Sequence, residues 1–193
     1  MTSISLEEFE ILHEEGVQII DSRPTSVFAS SYIPNSVNAS LNGSYEYMAS
    51  CIFNKGEKIV IICDQVTEGE SVLRLESEGF KNIFTFFFDY WKGKKTMSIE
   101  RYDAKEAHLH LDSMKDVSNA EDWEVLHVKG VENLPLVELV KNCRIIEPNS
   151  VLYCGNGHKS MAAVSFLMAR GIVSKDIIGG LSAMLVDAPT LEI

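Results

Sequence analysis

No apolar run in the sequence is long enough to cross a bilayer. The longest uninterrupted stretches, such as Ile59 to Cys63, fall far short of the roughly 18 residues a transmembrane helix needs. Basic residues are also in deficit: 17 Lys and Arg stand against 28 Asp and Glu, for a formal net charge of −11. Both halves of the chain share that deficit, so neither carries the basic footprint that nucleic acid or an anionic membrane surface demands. Cysteine is scarce, with four residues (Cys51, Cys63, Cys143, Cys154) and no CxxC pair, which argues against a disulfide scaffold and against the usual zinc or dithiol spacing. The opening MTSISLEEFE has neither a basic n-region nor an apolar h-region, so the expectation is a cytoplasmic protein without a secretory or transit signal. What is present is ordinary globular usage, 46% hydrophobic and 23% charged, in a chain long enough for one large domain or two small ones.

Self-comparison chooses two. IIDSRPTSVFASSYIPNSVNAS (19–40) recurs as MKDVSNAEDWEVLHVKGVENLP (114–135), aligning Asp21 with Asp116, Phe28 with Trp123, Ile33 with Val128 and Asn38 with Asn133. Farther on, KIVIICDQ (58–65) aligns with NSVLYCGN (149–156), which sets Cys63 against Cys154. A helix-like stretch follows each cysteine and ends in Glu-Gly-Phe (78–80) or Arg-Gly-Ile (170–172). The repeat predicts two similar domains, residues 1–95 and 96–193, joined near GKKTMS (93–98).

Within a unit the order of elements is readable. Ser5 to Glu8 opens a helix with a capping box, and Leu6, Phe9 and Leu12 share one face of it. Val17 to Ile20 is a short buried strand. Ile59 to Ile62 and Val151 to Tyr153 read as central parallel strands covered on both faces, and Met161 to Ala169 as a helix buried against the sheet. The fold class is therefore α/β, each unit a central parallel sheet flanked by helices. Ligands on such sheets gather at the carboxyl ends of the strands, where Cys63 and Cys154 both fall.

The segment Cys154, Gly155, Asn156, Gly157, His158, Lys159, Ser160 joins a strand to a helix N-terminus. Its two glycines let successive backbone N–H groups turn inward, and the helix dipole adds positive potential. Such a loop cradles anions, and Cys154 at its head, with Lys159 nearby, would be favoured as thiolate and nucleophile. The competing reading makes Cys154 a small buried hydrophobe ending a strand. His158 either adds positive potential and a hydrogen bond or is an exposed loop histidine. Ser160 caps the helix or bonds the thiolate. Cys51 and Cys143 read as bystanders. The aromatic run Phe84, Phe86, Phe87, Phe88, Tyr90, Trp91 reads as the cover of a sheet edge against the other domain, with an acceptor-protein patch as the alternative.

On these residues the chain resembles a tandem rhodanese. Each half is similar to the family pattern of an Asp, a spaced aromatic, a Gly-His-Ile-Pro-Gly-Ala stretch and a Cys-x-x-Gly-x-Arg-Ser loop. The third element appears here as Ser31 to Ser36 and as Leu126 to Val131, and the fourth as Cys154 to Ser160. The resemblance implies that Cys154 carries transferred sulfur as a persulfide while Gly155, Asn156, Gly157, His158, Lys159 and Ser160 hold an anionic donor, with no metal and no organic cofactor. Three departures stand out. Lys159 replaces the family Arg, exchanging a bidentate fork for a point charge. Ser118 replaces the Arg that the first unit keeps as Asp21-Ser22-Arg23. No Trp follows Gly179-Gly180-Leu181. In the first unit the loop runs Cys63 to Ser71 and sets Asp64, Glu68 and Glu70 around the thiol, where carboxylates oppose ionisation and repel anions, so that unit is expected to be catalytically silent. A degenerate first unit before a loop-bearing second is similar to the rhodanese pair of metallo-β-lactamase, persulfide-oxidising fusion proteins. His108-Leu109-His110-Leu111-Asp112 mimics part of that enzyme's ligand run, but it falls where the second unit's first amphipathic helix belongs, and no metal site is expected there.

The leading expectation is a sulfurtransferase that moves sulfane sulfur from thiosulfate or a persulfide to a thiol, cyanide or an acceptor protein. A catalytically inactive interaction or regulatory module is the alternative. A Cys-dependent phosphatase or arsenate reductase ranks last, because those enzymes grip oxyanions with an Arg that this loop lacks.

Overall fold

After Lys58, the stretch KIVIIC carries five consecutive apolar residues, too many for a strand with one wet face. In the computed structural model, which describes residues 3–193, it is a central strand with those five side chains fully buried. The chain divides into two compact units, Met1–Ser98 and Ile99–Ile193. Unit 1 runs α1 (Leu6–Glu14), β1 (Gln18–Asp21), α2 (Thr25–Ser30), β2 (Val37–Asn38), α3 (Tyr45–Ile52), β3 (Lys58–Cys63), α4 (Glu68–Ser77), β4 (Asn82–Phe87). Its four strands are parallel in the order β2-β1-β3-β4, and a parallel bridge from Ser3 to Thr85 extends the β4 edge.

The start of α1 matches its sequence signature. Ser5 Oγ accepts from the Glu8 amide at 3.2 Å, and the Ser5 amide donates to Glu8 Oε2 at 2.8 Å, satisfying two donors that a helix start leaves orphaned. The helix buries Phe9, whose ring stacks on Phe86 at 4.1 Å and meets Trp91 edge-on at 5.5 Å. Phe86 and Trp91 thus belong to unit 1's own core, with Phe84 and Phe88 packed beside it. Within unit 1, Phe86 and Trp91 of the aromatic run are packed on Phe9 of α1.

Unit 2 runs β5 (Arg101–Tyr102), β6 (Met114–Asp116), α5 (Ala120–Val125), β7 (Glu132–Asn133), α6 (Leu136–Lys141), β8 (Val151–Tyr153), α7 (His158–Met168), β9 (Lys175–Ile177), α8 (Gly180–Asp187). Its parallel sheet has the order β5-β9-β8-β6-β7. That is unit 1's order, with β5 against β9 where Ser3 stands against Thr85. The expected amphipathic helix over DAKEAHLHLDSM is not α-helical: Ala104–Leu109 and Leu111–Ser113 are 3-10 turns. The buried pair Ala104 and Ala107 is spaced by three, which suits that tighter coil. HLHLD alternates with period two and supplies no stripe of period 3.6, so Leu109 and Leu111 are left exposed.

The two units also match in individual hydrogen bonds. Asn38 Nδ2 donates to the carbonyls of Asp21 and Arg23, both at 2.9 Å, and Asn133 Nδ2 to those of Asp116 and Ser118, both at 3.0 Å. Asp21 Oδ1 accepts from the Arg23 amide at 3.0 Å, as Asp116 Oδ1 does from the Ser118 amide at 2.8 Å. Each Asx turn reverses the chain at a strand's carboxyl end, where backbone groups without partners would be costly.

Candidate active-site loop

β8 delivers Cys154 to the start of α7 and leaves its side chain 1% exposed. The sulfur does not point into hydrocarbon. Gly157 N–H donates to Sγ at 3.2 Å and Ser160 N–H at 3.4 Å, with Ser160 Oγ 3.7 Å from Sγ. Gly157, at φ +85°, is the N-cap of α7 and Ser160 its third residue, so the cysteine sulfur takes the place of a capping oxygen, against the positive end of the helix dipole. Ser160, expected as the cap of this helix, lies one turn too far in, and the sulfur fills that role.

The loop is fixed from behind by α8. Cys154 O accepts from Leu181 N at 2.8 Å, and Gly155 O accepts from Ser182 N at 2.9 Å and Ser182 Oγ at 2.8 Å. Gly179 and Gly180 sit at φ +73° and +59°, conformations that strain other residues. Gly155 and Asn156 are exposed at the loop's tip, and residues 154–160 run from the end of β8 through the bend into the first turn of α7.

Two electrostatic expectations change. The Lys159 ammonium lies 3.0 Å from Asp122 Oδ2, so its charge is engaged by a carboxylate of α5 rather than offered bare to the thiol. Burial, then Arg101, pushes the His158 imidazole below its ordinary value. It therefore favours the neutral ring, because desolvation and a nearby cation both oppose a second positive charge. His158 supplies no positive potential at neutral pH, and its Nδ1 is buried with no hydrogen-bond partner.

Sequence reasoning passed over the pair behind Ser160. Asp176, fully buried in β9, receives two bonds from Arg101 of β5, Nε to Oδ1 and Nη2 to Oδ2, both at 2.7 Å. Ser160 Oγ is 3.5 Å from Asp176 Oδ2. Burial pushes the Asp176 carboxyl up while Arg101 and Ser160 pull against it. A lone acidic residue inside a short buried strand was the available signal; Thr85 holds the corresponding register position in unit 1.

The unit 1 loop has the opposite character. Burial, then Glu68 and Asp64, then Asp21, push the Cys63 thiol up to about 12. Glu70, expected among the carboxylates acting on it, turns instead to Arg74 at 3.0 Å. Arg23 closes on Asp21 at 2.7 Å, donates to Ser31 O at 3.0 Å and lies 3.6 Å over the Phe88 ring. At the equivalent place in unit 2, Ser118 has no such reach, and the Tyr153 hydroxyl accepts from Val128 N at 3.0 Å. In the HLHLD stretch His108 Nδ1 meets Lys105 O and His110 stacks on Tyr102, while His127 stacks on Trp123. Among the described residues no group of three metal-capable side chains converges.

Residues 6–90 match the family profile of the rhodanese-like domain. This segment is a rhodanese-like domain. The match covers the unit whose cysteine loop is acidic and does not extend over unit 2. Comparison with curated proteins gives no significant match. Among solved structures, the Alr3790 protein from Anabaena sp. is 20% identical over 50% of this chain and 82% of its own, with a TM-score of 0.46. Thiosulfate sulfurtransferase from Pseudomonas aeruginosa is 15% identical over 95% of this chain and 44% of its own, with a TM-score of 0.39. A persulfide form of EanB with ergothioneine is 13% identical over 95% of this chain and 61% of its own, with a TM-score of 0.47. Set against these last two, the chain spans less than two thirds of the matched protein's length. No helix among the described residues is long and apolar enough to cross a membrane.

Proposed function

We propose that the chain is a tandem pair of rhodanese-like domains, residues 1–95 and 96–193, and that the second is a sulfurtransferase carrying sulfur on Cys154. The observation that carries this reading is the convergence of the Gly157 and Ser160 amides on the Cys154 sulfur at the head of α7. Shared strand order and the matching Asn38 and Asn133 bonds support a common ancestry for the two units. In this reading the Cys154 thiolate attacks the outer sulfur of thiosulfate. A new S–S bond forms, the sulfur–sulfur bond of the donor breaks, and sulfite leaves with its electron pair. The persulfide anion then gives its terminal sulfur to a thiol, cyanide or a protein acceptor, and the thiolate returns, as in two-step covalent catalysis. The amides hold negative charge on sulfur throughout. Gly155, Asn156 and Gly157 present the loop to the donor, and neither a metal nor an organic cofactor enters. Unit 1 is silent in this scheme because Cys63 resists ionisation.

Intact-mass measurement after incubation with thiosulfate tests it. The wild-type chain and Cys63→Ser gain the mass of one sulfur atom, removable by dithiothreitol, whereas Cys154→Ser gains none; equal uptake by the Cys154 variant would remove the assignment. One observation favours a second reading, a non-catalytic interaction module: Cys154 is 1% exposed and the nearest loop cation already holds Asp122. No sulfur uptake from thiosulfate or from a low-molecular-weight persulfide would select that alternative.

A further inference from the structure

The Arg101–Asp176 pair is buried beside the candidate sulfur and has no counterpart in unit 1. Asp176 is fully buried and the Arg101 side chain 10% exposed. Such a pair is no stabilising device in itself, since its desolvation consumes much of the Coulombic gain. Unit 1 manages the same position with Thr85, opposite Ser3. What distinguishes unit 2 is the neighbour of the pair. Ser160 Oγ lies between Asp176 Oδ2 at 3.5 Å and Cys154 Sγ at 3.7 Å. A hydroxyl has one proton, and here it has two acceptors within reach.

We propose that Arg101 and Asp176 are positioning residues for Cys154, acting through a Ser160 hydroxyl that turns between the carboxylate and the sulfur. The proposal deepens the sulfurtransferase reading and rests on it. With the thiol protonated, S–H donates to Ser160 Oγ and the Ser160 O–H donates to Asp176. When the thiol proton leaves to solvent, the hydroxyl rotates, its O–H now donates to the thiolate, and no covalent bond other than S–H has changed. Asp176 can release it because Arg101 continues to satisfy both carboxylate oxygens. The long Ser160–Asp176 distance keeps that hold weak. Other titratable groups on the surrounding elements are Tyr102 on β5, Lys115 and Asp116 on β6, Tyr153 on β8, His158 and Lys159 on α7, Lys175 on β9 and Asp187 on α8, with Lys159 engaged by Asp122, Lys115 by Glu132, and Lys175 by Glu100 and Tyr102.

The test is the pH profile of Cys154 alkylation by neutral iodoacetamide in the full chain, resolved from the other cysteines by peptide mass mapping. Ser160→Ala should move the profile to higher pH by about half a unit or more, through loss of a hydrogen bond to the charged form. Arg101→Gln leaves the carboxylate uncompensated and should also move it up. Asp176→Asn frees the hydroxyl and leaves a cation, and should move it down. The double variant Arg101→Gln/Asp176→Asn should fall between, and Arg101→Lys should restore most of the wild-type profile. The shift from Arg101→Gln should shrink at least twofold when it is measured in the Ser160→Ala background. A merely structural pair would move both single variants alike or neither. That result, or an Arg101→Gln shift undiminished by the loss of the Ser160 hydroxyl, overturns the proposal. Should Arg101→Gln unfold by circular dichroism, the double variant and Arg101→Lys carry the decision. Sulfur uptake, followed by mass in parallel, separates the two readings: none in the wild type sinks the sulfurtransferase, while the alkylation profiles still decide the positioning pair.

Discussion

Two cysteines end equivalent strands and meet opposite surroundings. Cys63 is walled in by burial and by the charges of Glu68, Asp64 and Asp21, which place it near 12 against an ordinary 9.0. Because the folded thiol holds its proton more tightly than the unfolded one, the group contributes fully to stability below about pH 9. That contribution fades as rising pH ionises the unfolded chain first. At pH 8, peptide mapping after brief iodoacetamide treatment should leave Cys63 unmodified in the folded chain and modified once the chain is denatured in urea; labelling in the folded chain would contradict the burial and charge described. The sequence disclosed the acidic character of that loop, though not its actual members. Glu70 lies on the α4 surface within reach of Arg74, and Asp21 arrives from a neighbouring strand, a contact no local spacing can show.

Elements were legible where one period ruled. The capping box of α1, the buried strand β3 and the apolar body of α7 from Met161 onward all declare themselves by residue type alone. Ala104 to Ser113 did not, because alternating His and Leu carry no helical stripe and two alanines set a tighter coil. The candidate loop was legible as a strand–glycine–helix junction. Its support was not: the carbonyls of Cys154 and Gly155 are bonded by α8, 27 residues away along the chain for the Ser182 Oγ contact. Gly180 shows the closeness of that junction. A Cβ there would lie 2.0 Å from Cys154 O and 2.9 Å from Gly157 N, at φ +59°. Backbone occupies the space on both sides, so nothing can yield cheaply. Gly180→Ala should destabilise the protein by roughly 3 kcal/mol in urea denaturation, from steric and dihedral strain together, and should abolish sulfur uptake by Cys154. Gly171→Ala, also at positive φ but with no heavy atom within 4 Å, should cost less and leave uptake intact.

At the scale of the whole molecule, each unit owns a sheet and a core. Phe9, Ile19, Val60, Ile62 and Phe86 cluster in one, and Val128, Val151, Tyr153, Ile177 and Met184 in the other. A unit with its own core can unfold as a separate cooperative block. Calorimetry should therefore give an unfolding endotherm that a single two-state transition cannot fit, and alkaline pH should weaken the unit 1 component first. Coincident unfolding of both blocks in every condition would argue against their independence. The division into two units was legible because both carry the same hydrophobic period and an Asx turn, at Asp21 and at Asp116. Whether a strand-end cysteine meets amide donors, as Cys154 does, or carboxylates, as Cys63 does, depends on the side chains around it, so it had to be read from the packing.

The seam between Cys154 and Leu181 also sets an order of events during synthesis. A ribosome adds residues from the amino end, so a nascent chain that has only just exposed its cysteine lacks the α8 amides that will later clasp the turn. Until those residues emerge, the turn that carries the thiol is without the donors that fix its two carbonyls, and its final geometry waits on the last helix of the chain.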